Sequence, residues 1–146
     1  MRRIMIALAA ASALPAPAAG WARLDPATWV KRVLGEYDAI QKKQGYSPEG
    51  PARPGALASG GETRLDFALA PGSAYRFVVI CESACGAGEV ELLDPAGARV
   101  GEPKALVEMP RFEAAPAAAG QYSLRVAMTD CAAATCAWSA RLYARR

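Results

Sequence analysis

The hydrophobic pattern of this chain changes its period partway along, and this change most restricts the folds open to it. Residues 25–44 repeat apolar side chains every three to four positions, whereas from about residue 62 apolar and polar side chains alternate. The first period is typical of an amphipathic helix and the second of half-buried strands. Turn signals such as Pro71-Gly72 and Asp94-Pro95-Ala96-Gly97 divide the later region into short segments. The pattern predicts an all-β fold, an antiparallel β-sandwich or jelly roll of about seven to eight strands behind one N-terminal amphipathic helix.

Three later segments carry the clearest strand signals. The run AYRFVVIC is apolar at nearly every position, which is typical of a strand in the middle of a packed sheet. The runs QYSLRVAM and AWSARLYA alternate instead, so each should present one apolar face. Those two faces comprise Tyr122, Leu124, Val126 and Met128, and then Trp138, Ala140 and Leu142. Residues 99–102, 104–109 and 111–114 are shorter strand candidates.

The first segment after the N-terminal region has the signals of a helix from Asp25 to Gln44. Asp25 is a good N-cap, Pro26 suits the first helical position, and Gly45 supplies a C-terminal stop. The predicted apolar stripe comprises Trp29, Val33, Tyr37 and Ile40, widened by Val30 and Leu34. We expect this stripe to dock on the protein's own domain, and a partner protein or a membrane surface is the alternative.

The N-terminal 20 residues have the order of a secretory signal peptide. Arg2 and Arg3 precede an apolar run from Ile4 to Leu14, and small residues follow before Trp21. The apolar run has about a dozen residues, whereas a membrane-spanning helix needs roughly 20. We therefore predict a periplasmic or secreted protein without stable membrane insertion after signal cleavage, and a retained anchor is the alternative.

The remaining chain divides into a helical segment at 21–45, a Pro- and Gly-rich linker at 46–55, and a β-sandwich domain at 56–146. Loss of the two signal-peptide arginines would leave 15 basic and 14 acidic residues, a net charge of +1. Duplex nucleic acid is bound through a surplus of basic residues. The predicted mature chain has no such surplus, so nucleic acid is not an expected partner.

Four cysteines, an even number, are expected to form disulfides in an exported chain. They are Cys81, Cys85, Cys131 and Cys136. Four cysteines allow three connectivities, among which we favour the two local pairs, each closing a turn at the end of a strand. Such short loops contribute about 2 kcal/mol each in the chain-entropy account. A zinc site is disfavoured because the spacing is unusual and the chain has no histidine.

The β region also carries a set of motifs in a recognisable order. These are G-x-L-x-x-G at Gly55–Gly60, then LAPGSAYRFVVIC, LLDPAGARV, AAPAAAGQYSLRVAMTDC and a final CAW strand. Over about residues 55–144 the chain resembles the pre-peptidase C-terminal-like (PPC-like) domain, and more narrowly small exported bacterial proteins with one such domain behind a short helix. The resemblance implies a β-sandwich that usually serves as an accessory or binding module.

In that family the first cysteine pair is often accompanied by several acids. The matching stretch here, CESACGAGEV, keeps Glu82 and Glu89 but has Ala84 and Ala87 at the other two positions. A calcium site built from the two glutamates and carbonyls of the intervening loop is a candidate, since calcium prefers carboxylate and carbonyl oxygens. The two alanines should weaken it, and no other cofactor is expected.

The absence of histidine bears directly on catalysis. It excludes Ser-His and Cys-His nucleophiles and imidazole acid–base chemistry. We therefore expect a protein that is not an enzyme. The enzymatic alternative is a weak hydrolase with a carboxylate pair drawn from Glu82, Glu89, Glu91 and Asp94.

Four side chains of the predicted strands form the candidate binding surface. They are Arg64, Arg125, Arg141 and Tyr143. An Arg and Tyr surface suits carbohydrate, peptide or anionic polymer, although scattered arginines also keep sheet edges unpaired. The expected function is a non-catalytic binding or accessory protein of the bacterial envelope, whose partner is an envelope protein or a polysaccharide. A structural envelope protein that pairs through its helix is the alternative.

Overall fold

The computed structural model describes residues 24–146, which form one α-helix, nine strands and one 3₁₀ turn. The elements in chain order are α1 (Pro26–Lys43), β1 (Ser47–Pro48), β2 (Arg53–Leu57), β3 (Glu62–Leu69), β4 (Ala74–Cys81), β5 (Cys85–Leu93), β6 (Lys104–Ala105), the 3₁₀ turn (Leu106–Glu108), β7 (Arg111–Ala114), β8 (Gly120–Cys131) and β9 (Cys136–Arg145). The signal peptide predicted over residues 1–20 lies outside the described residues. Within 24–146, no helix combines the length and apolarity needed to cross a membrane.

The strands form two antiparallel sheets, which confirms the predicted all-β class with one helix. In the helix-side sheet the order is β1-β9-β4-β7, and β2 also pairs with β9. In the open sheet the order is β3-β8-β5-β6. Two of the nine strands, β1 and β6, have only two residues each, so seven longer strands carry the fold.

The two sheets enclose a shared hydrophobic core. Strand alternation directs Phe77 and Val79 of β4 into it from one side, and Leu124, Val126 and Met128 of β8 from the other. Trp138, Ala140 and Leu142 of β9 complete the inner surface of the helix-side sheet. The apolar faces predicted for β8 and β9 are therefore confirmed.

Helix α1 covers the other face of the helix-side sheet. A second buried cluster joins Val30 and Leu34 of the helix to Val78 and Ile80 of β4. This contact explains why AYRFVVIC is apolar on both sides, because one face of β4 meets the core and the other meets the helix. The expectation that the helix docks on its own domain is confirmed.

The helix begins and ends as predicted, but its buried stripe is shifted. Asp25 Oδ1 accepts a hydrogen bond of 3.0 Å from the Thr28 amide, and Gly45 ends the helix with a φ of +83°. The fully buried helix side chains are Val30, Leu34 and Gln41. Two residues of the predicted stripe, Trp29 and Ile40, remain 38% and 49% exposed.

The linker predicted at 46–55 is wrong, because this segment supplies β1 and part of β2. Strand β2 pairs with β9 along its whole length. Its edge position tolerates Pro54, since an edge strand has one side without ladder hydrogen bonds. Gly55 allows a close approach, because a Cβ at this position would clash with the Trp138 indole.

The region between β5 and β7 is less regular than predicted. Residues 99–102 contribute only a bridge from Arg99 to Leu93, and residues 104–109 form the short β6 followed by the 3₁₀ turn. Gly101 and Met109 adopt positive φ values of 76° and 49°, which interrupt extended structure.

The two disulfides link the sheets at one end of the sandwich. The sulfur atoms of Cys81 and Cys85 lie at bonding distance, as do those of Cys131 and Cys136, and the Cα separations are 6.2 and 5.9 Å. Each pair connects a helix-side strand to a strand of the open sheet. The two local pairs match those favoured from the sequence. They indicate a compartment outside the reducing cytosol.

Candidate functional site

The outer face of the open sheet carries two of the four residues predicted for the binding surface. In the pairing of β3 with β8, Arg64 lies opposite Arg125 and Asp66 lies opposite Ser123. The intervening Leu65 and Phe67 turn inward against the core. Alternation in both strands therefore places these polar side chains on one outward surface.

Arg125 is held by carboxylates on both sides. Its Nη2 atom lies 2.7 Å from Glu62 Oε2, and its Nη1 atom lies 3.0 Å from Glu91 Oε2. Glu91 also pairs with Arg99 at 2.7 Å. The hydrogen bond from Arg125 lowers the pKa of Glu62 below its ordinary value of 4.5, and the hydrogen bonds to Glu62 and Glu91 raise the pKa of Arg125. The charge of Arg125 is therefore neutralised by ion pairs to neighbouring side chains of the same face.

Arg64 differs from its neighbour because it forms no ion pair with any residue in the range 24–146. Two arginines opposite each other in a ladder would repel, and the two glutamates on Arg125 offset that repulsion. The guanidinium donors of Arg64, which is exposed, are therefore free to meet a ligand.

A polar pocket of about 280 Å³ opens beside Arg64. It is lined by Asp66, Gln121 and Ser123 and by residues of the turn that follows β5. Ser123 Oγ donates a hydrogen bond of 2.5 Å to Asp66 Oδ1, which fixes the orientation of the carboxylate. The pocket thus combines a cation, two carboxylates (Asp66 and Asp94), an amide and a hydroxyl.

The turn that walls the pocket is braced by its own side chain. Asp94 Oδ1 accepts hydrogen bonds of 2.9 Å from the amides of Ala96 and Ala98. The turn also lies close against the start of β8, where a Cβ on Gly120 would come within 2.5 Å of the Pro95 ring. The D-P-A-G motif therefore gives the pocket a preformed edge.

Arg141 and Tyr143 do not belong to this surface, so the expected single patch of four residues must be corrected. Both lie on β9 in the helix-side sheet, beneath α1. Arg141 Nη2 lies 3.0 Å from Asp38 Oδ2, and the Tyr143 hydroxyl donates a hydrogen bond of 2.7 Å to Asp38 Oδ1. Burial, followed by the hydrogen bond to Asp38, raises the pKa of Tyr143 well above its ordinary value of 10.0. These two residues anchor the helix.

The two glutamates predicted as calcium ligands lie in different environments. Glu82 Oε1 accepts a hydrogen bond of 2.9 Å from the Ala137 amide of β9. Glu89 is exposed in β5, where it lies opposite Ala127 in the open sheet. Across 24–146 no three or more Asp, Glu, Cys or His side chains are grouped so that they could hold a metal ion.

Three pocket residues, Asp66, Gln121 and Ser123, were missed from the sequence. Their signal was present, because they share the phase of Arg64 and Arg125 in two strands that were predicted correctly. The register between β3 and β8 was the missing information, and sequence alternation does not specify it.

A scan against protein-family models finds no match to this chain, and a search of curated proteins finds none either. The assignment of a function therefore rests on the geometry of the pocket and on the residues around it.

Proposed function

We propose that this protein is a non-catalytic binding module that works outside the reducing cytosol and holds a hydroxyl-rich polysaccharide in the polar pocket. The observation that carries the proposal is the unpaired Arg64 guanidinium beside the oriented Asp66 carboxylate. Together, the Arg64 guanidinium and the Asp66 carboxylate offer hydrogen-bond donors and oriented acceptors within one small pocket.

Sugar hydroxyls both donate and accept hydrogen bonds, and the pocket supplies partners for both roles. Arg64 only donates, Asp66 only accepts, and Gln121 and Ser123 do either. Acidic side chains outnumber basic ones on this face, which disfavours a polyanion. The acids are Glu62, Asp66, Glu89 and Glu91, and the bases are Arg64, Arg99 and Arg125.

Several features favour binding over catalysis. The chain has no histidine. Hydrogen bonds from Arg125 and Arg76 lower the pKa values of Glu62 and Glu113, whereas a general acid at neutral pH needs a raised pKa. The envelope hydrolase alternative also loses support, since Glu91, one of its candidate carboxylates, is engaged by two arginines.

The proposal includes the finer features expected from the sequence. We propose export by the signal at residues 1–20 to the periplasm or the exterior, and membership of the PPC-like group. The strand order supports a jelly roll. The two sheets have the orders β2-β9-β4-β7 and β3-β8-β5-β6, which is the strand arrangement that two interleaved Greek keys produce.

Retention on polysaccharide tests the proposal. The full chain is incubated with insoluble neutral and acidic polysaccharides and with envelope material before and after periodate oxidation of its glycans. We expect retention on a neutral glycan, its loss after oxidation, and its loss in Arg64→Ala and Asp66→Ala. Arg32→Ala is the matched control, because it removes an exposed arginine on the helix. Retention that survives oxidation but is abolished by protease treatment of the envelope would point to a protein partner and contradict the proposal.

A further inference from the structure

The polar contacts that join helix α1 to the sheet lie in its C-terminal half and just after it. Asp38 contacts Arg141 and Tyr143. Further along, Gln41 Oε1 and Gln44 Oε1 accept hydrogen bonds of 2.5 and 2.6 Å from Arg76 Nη1. The N-terminal half contributes apolar contacts, through the buried Val30 and Leu34 and the partly buried Val33.

A groove of about 370 Å³ lies under that N-terminal half. Beside the larger Val30, Leu34 and Trp138, its lining contains several small side chains that leave open space. These small side chains are Ala27 and Thr28 of α1, Ala52 and Pro54 on the β2 side, and Ala137 and Ser139 of β9. The volume lies in the range of small-molecule sites.

Lys31 stands at the same groove and has no ion pair within residues 24–146. A lysine stem can lie along apolar surface while its ammonium group stays in water. The groove therefore has apolar walls and one uncompensated positive charge at its rim, which complements an apolar ligand with a single anionic group.

We propose that the groove binds one alkyl chain with a terminal carboxylate, as in a long-chain fatty acid. A peptide is disfavoured as the occupant, because its backbone amides and carbonyls would enter an apolar space without partners. The β2 and β9 backbones that border the groove already pair with each other. A hydrocarbon chain has no polar groups to satisfy, and its carboxylate can meet Lys31 at the rim.

Fluorescence titration of the full chain with a dansyl-labelled undecanoate tests the proposal. We expect saturable binding of one probe per chain. Ala137→Leu and Ala52→Leu should each weaken it by about tenfold by filling the groove. Ala39→Leu, which adds the same atoms at an exposed helix position, should leave binding unchanged. Circular dichroism verifies that each variant is folded, and the use of two filling variants guards against the loss of one.

Competition by unlabelled ligands tests the role of the charge. Lys31→Ala should weaken a fatty carboxylate several-fold and leave an alcohol of equal chain length unaffected. The proposal would be overturned if the probe showed no saturable binding, or if the two filling variants bound it as tightly as the unaltered protein. It would also be overturned if Lys31→Ala weakened the acid and the alcohol equally.

Discussion

Replacing Asp38 with alanine is expected to loosen α1 from the sheet and to destabilise the protein strongly. This one carboxylate serves two partners on β9, with one oxygen on the Tyr143 hydroxyl and the other on Arg141. The Tyr143 side chain is fully buried, whereas the Asp38 and Arg141 side chains retain 28% and 18% exposure. The substitution would therefore orphan a buried hydroxyl and a mostly buried charge together.

The size of the effect follows from those two losses. An unsatisfied buried hydroxyl costs about 1–3 kcal/mol. Breaking a fully buried ion pair costs about 3–5 kcal/mol, but the partial exposure here lets water solvate Arg141 and reduces that figure. We expect Asp38→Ala to lower the free energy of unfolding by about 3 kcal/mol in total.

Urea denaturation followed by circular dichroism measures this change, and Glu36→Ala is the matched control. Glu36 pairs with Arg32 across one helical turn at 3.4 Å, but both side chains are more than two-thirds exposed. Its removal should cost at most about 0.5 kcal/mol. Equal losses for Asp38→Ala and Glu36→Ala would refute the role assigned to Asp38.

Three further predictions concern the core, the disulfides and pH. Gly55→Ala should destabilise the protein by about 1–3 kcal/mol, because the added Cβ would clash with Trp138. Gly35→Ala should stabilise the protein by about 1 kcal/mol, because this helix position has open space for a Cβ. Urea denaturation midpoints measure both changes. Reduction of both disulfides should lower stability by roughly 4 kcal/mol in total, and an unchanged midpoint in reductant would contradict this. Because the folded-state pKa of Tyr143 is raised, its contribution is complete below about pH 10 and declines as pH rises further; Tyr143→Phe should flatten this alkaline decline, and identical slopes would count against it.

The parts of the fold that follow local rules were predictable from sequence. Asp25, Pro26 and Gly45 marked the ends of the helix because caps act through neighbouring backbone groups. Alternation in β8 and β9 identified their inner faces because side chains leave a strand on opposite sides in turn.

The parts that depend on contacts between distant segments were not predictable. Strand β2 carries no apolar alternation, and it forms because its backbone pairs with β9. The phase of the helix stripe depended on the sheet beneath it, where Arg76 accommodates a buried Gln41.

The candidate site shows the same division. Alternation correctly set Arg64 and Arg125 facing outward on their strands, but it could not assign β9 to the other sheet or position α1 above it. The sequence pattern therefore predicted Arg141 and Tyr143 as surface residues, whereas in the structure both contact Asp38 of α1 and hold the helix on the sheet.

Mapping backbone amide shifts by NMR while a neutral oligosaccharide is added to the protein tests the central claim most directly. The account predicts saturable shifts that concentrate at Arg64, Asp66, Gln121 and Ser123 and that disappear in Arg64→Ala. Shifts that concentrate along α1, or saturable shifts unaffected by Arg64→Ala, would contradict it.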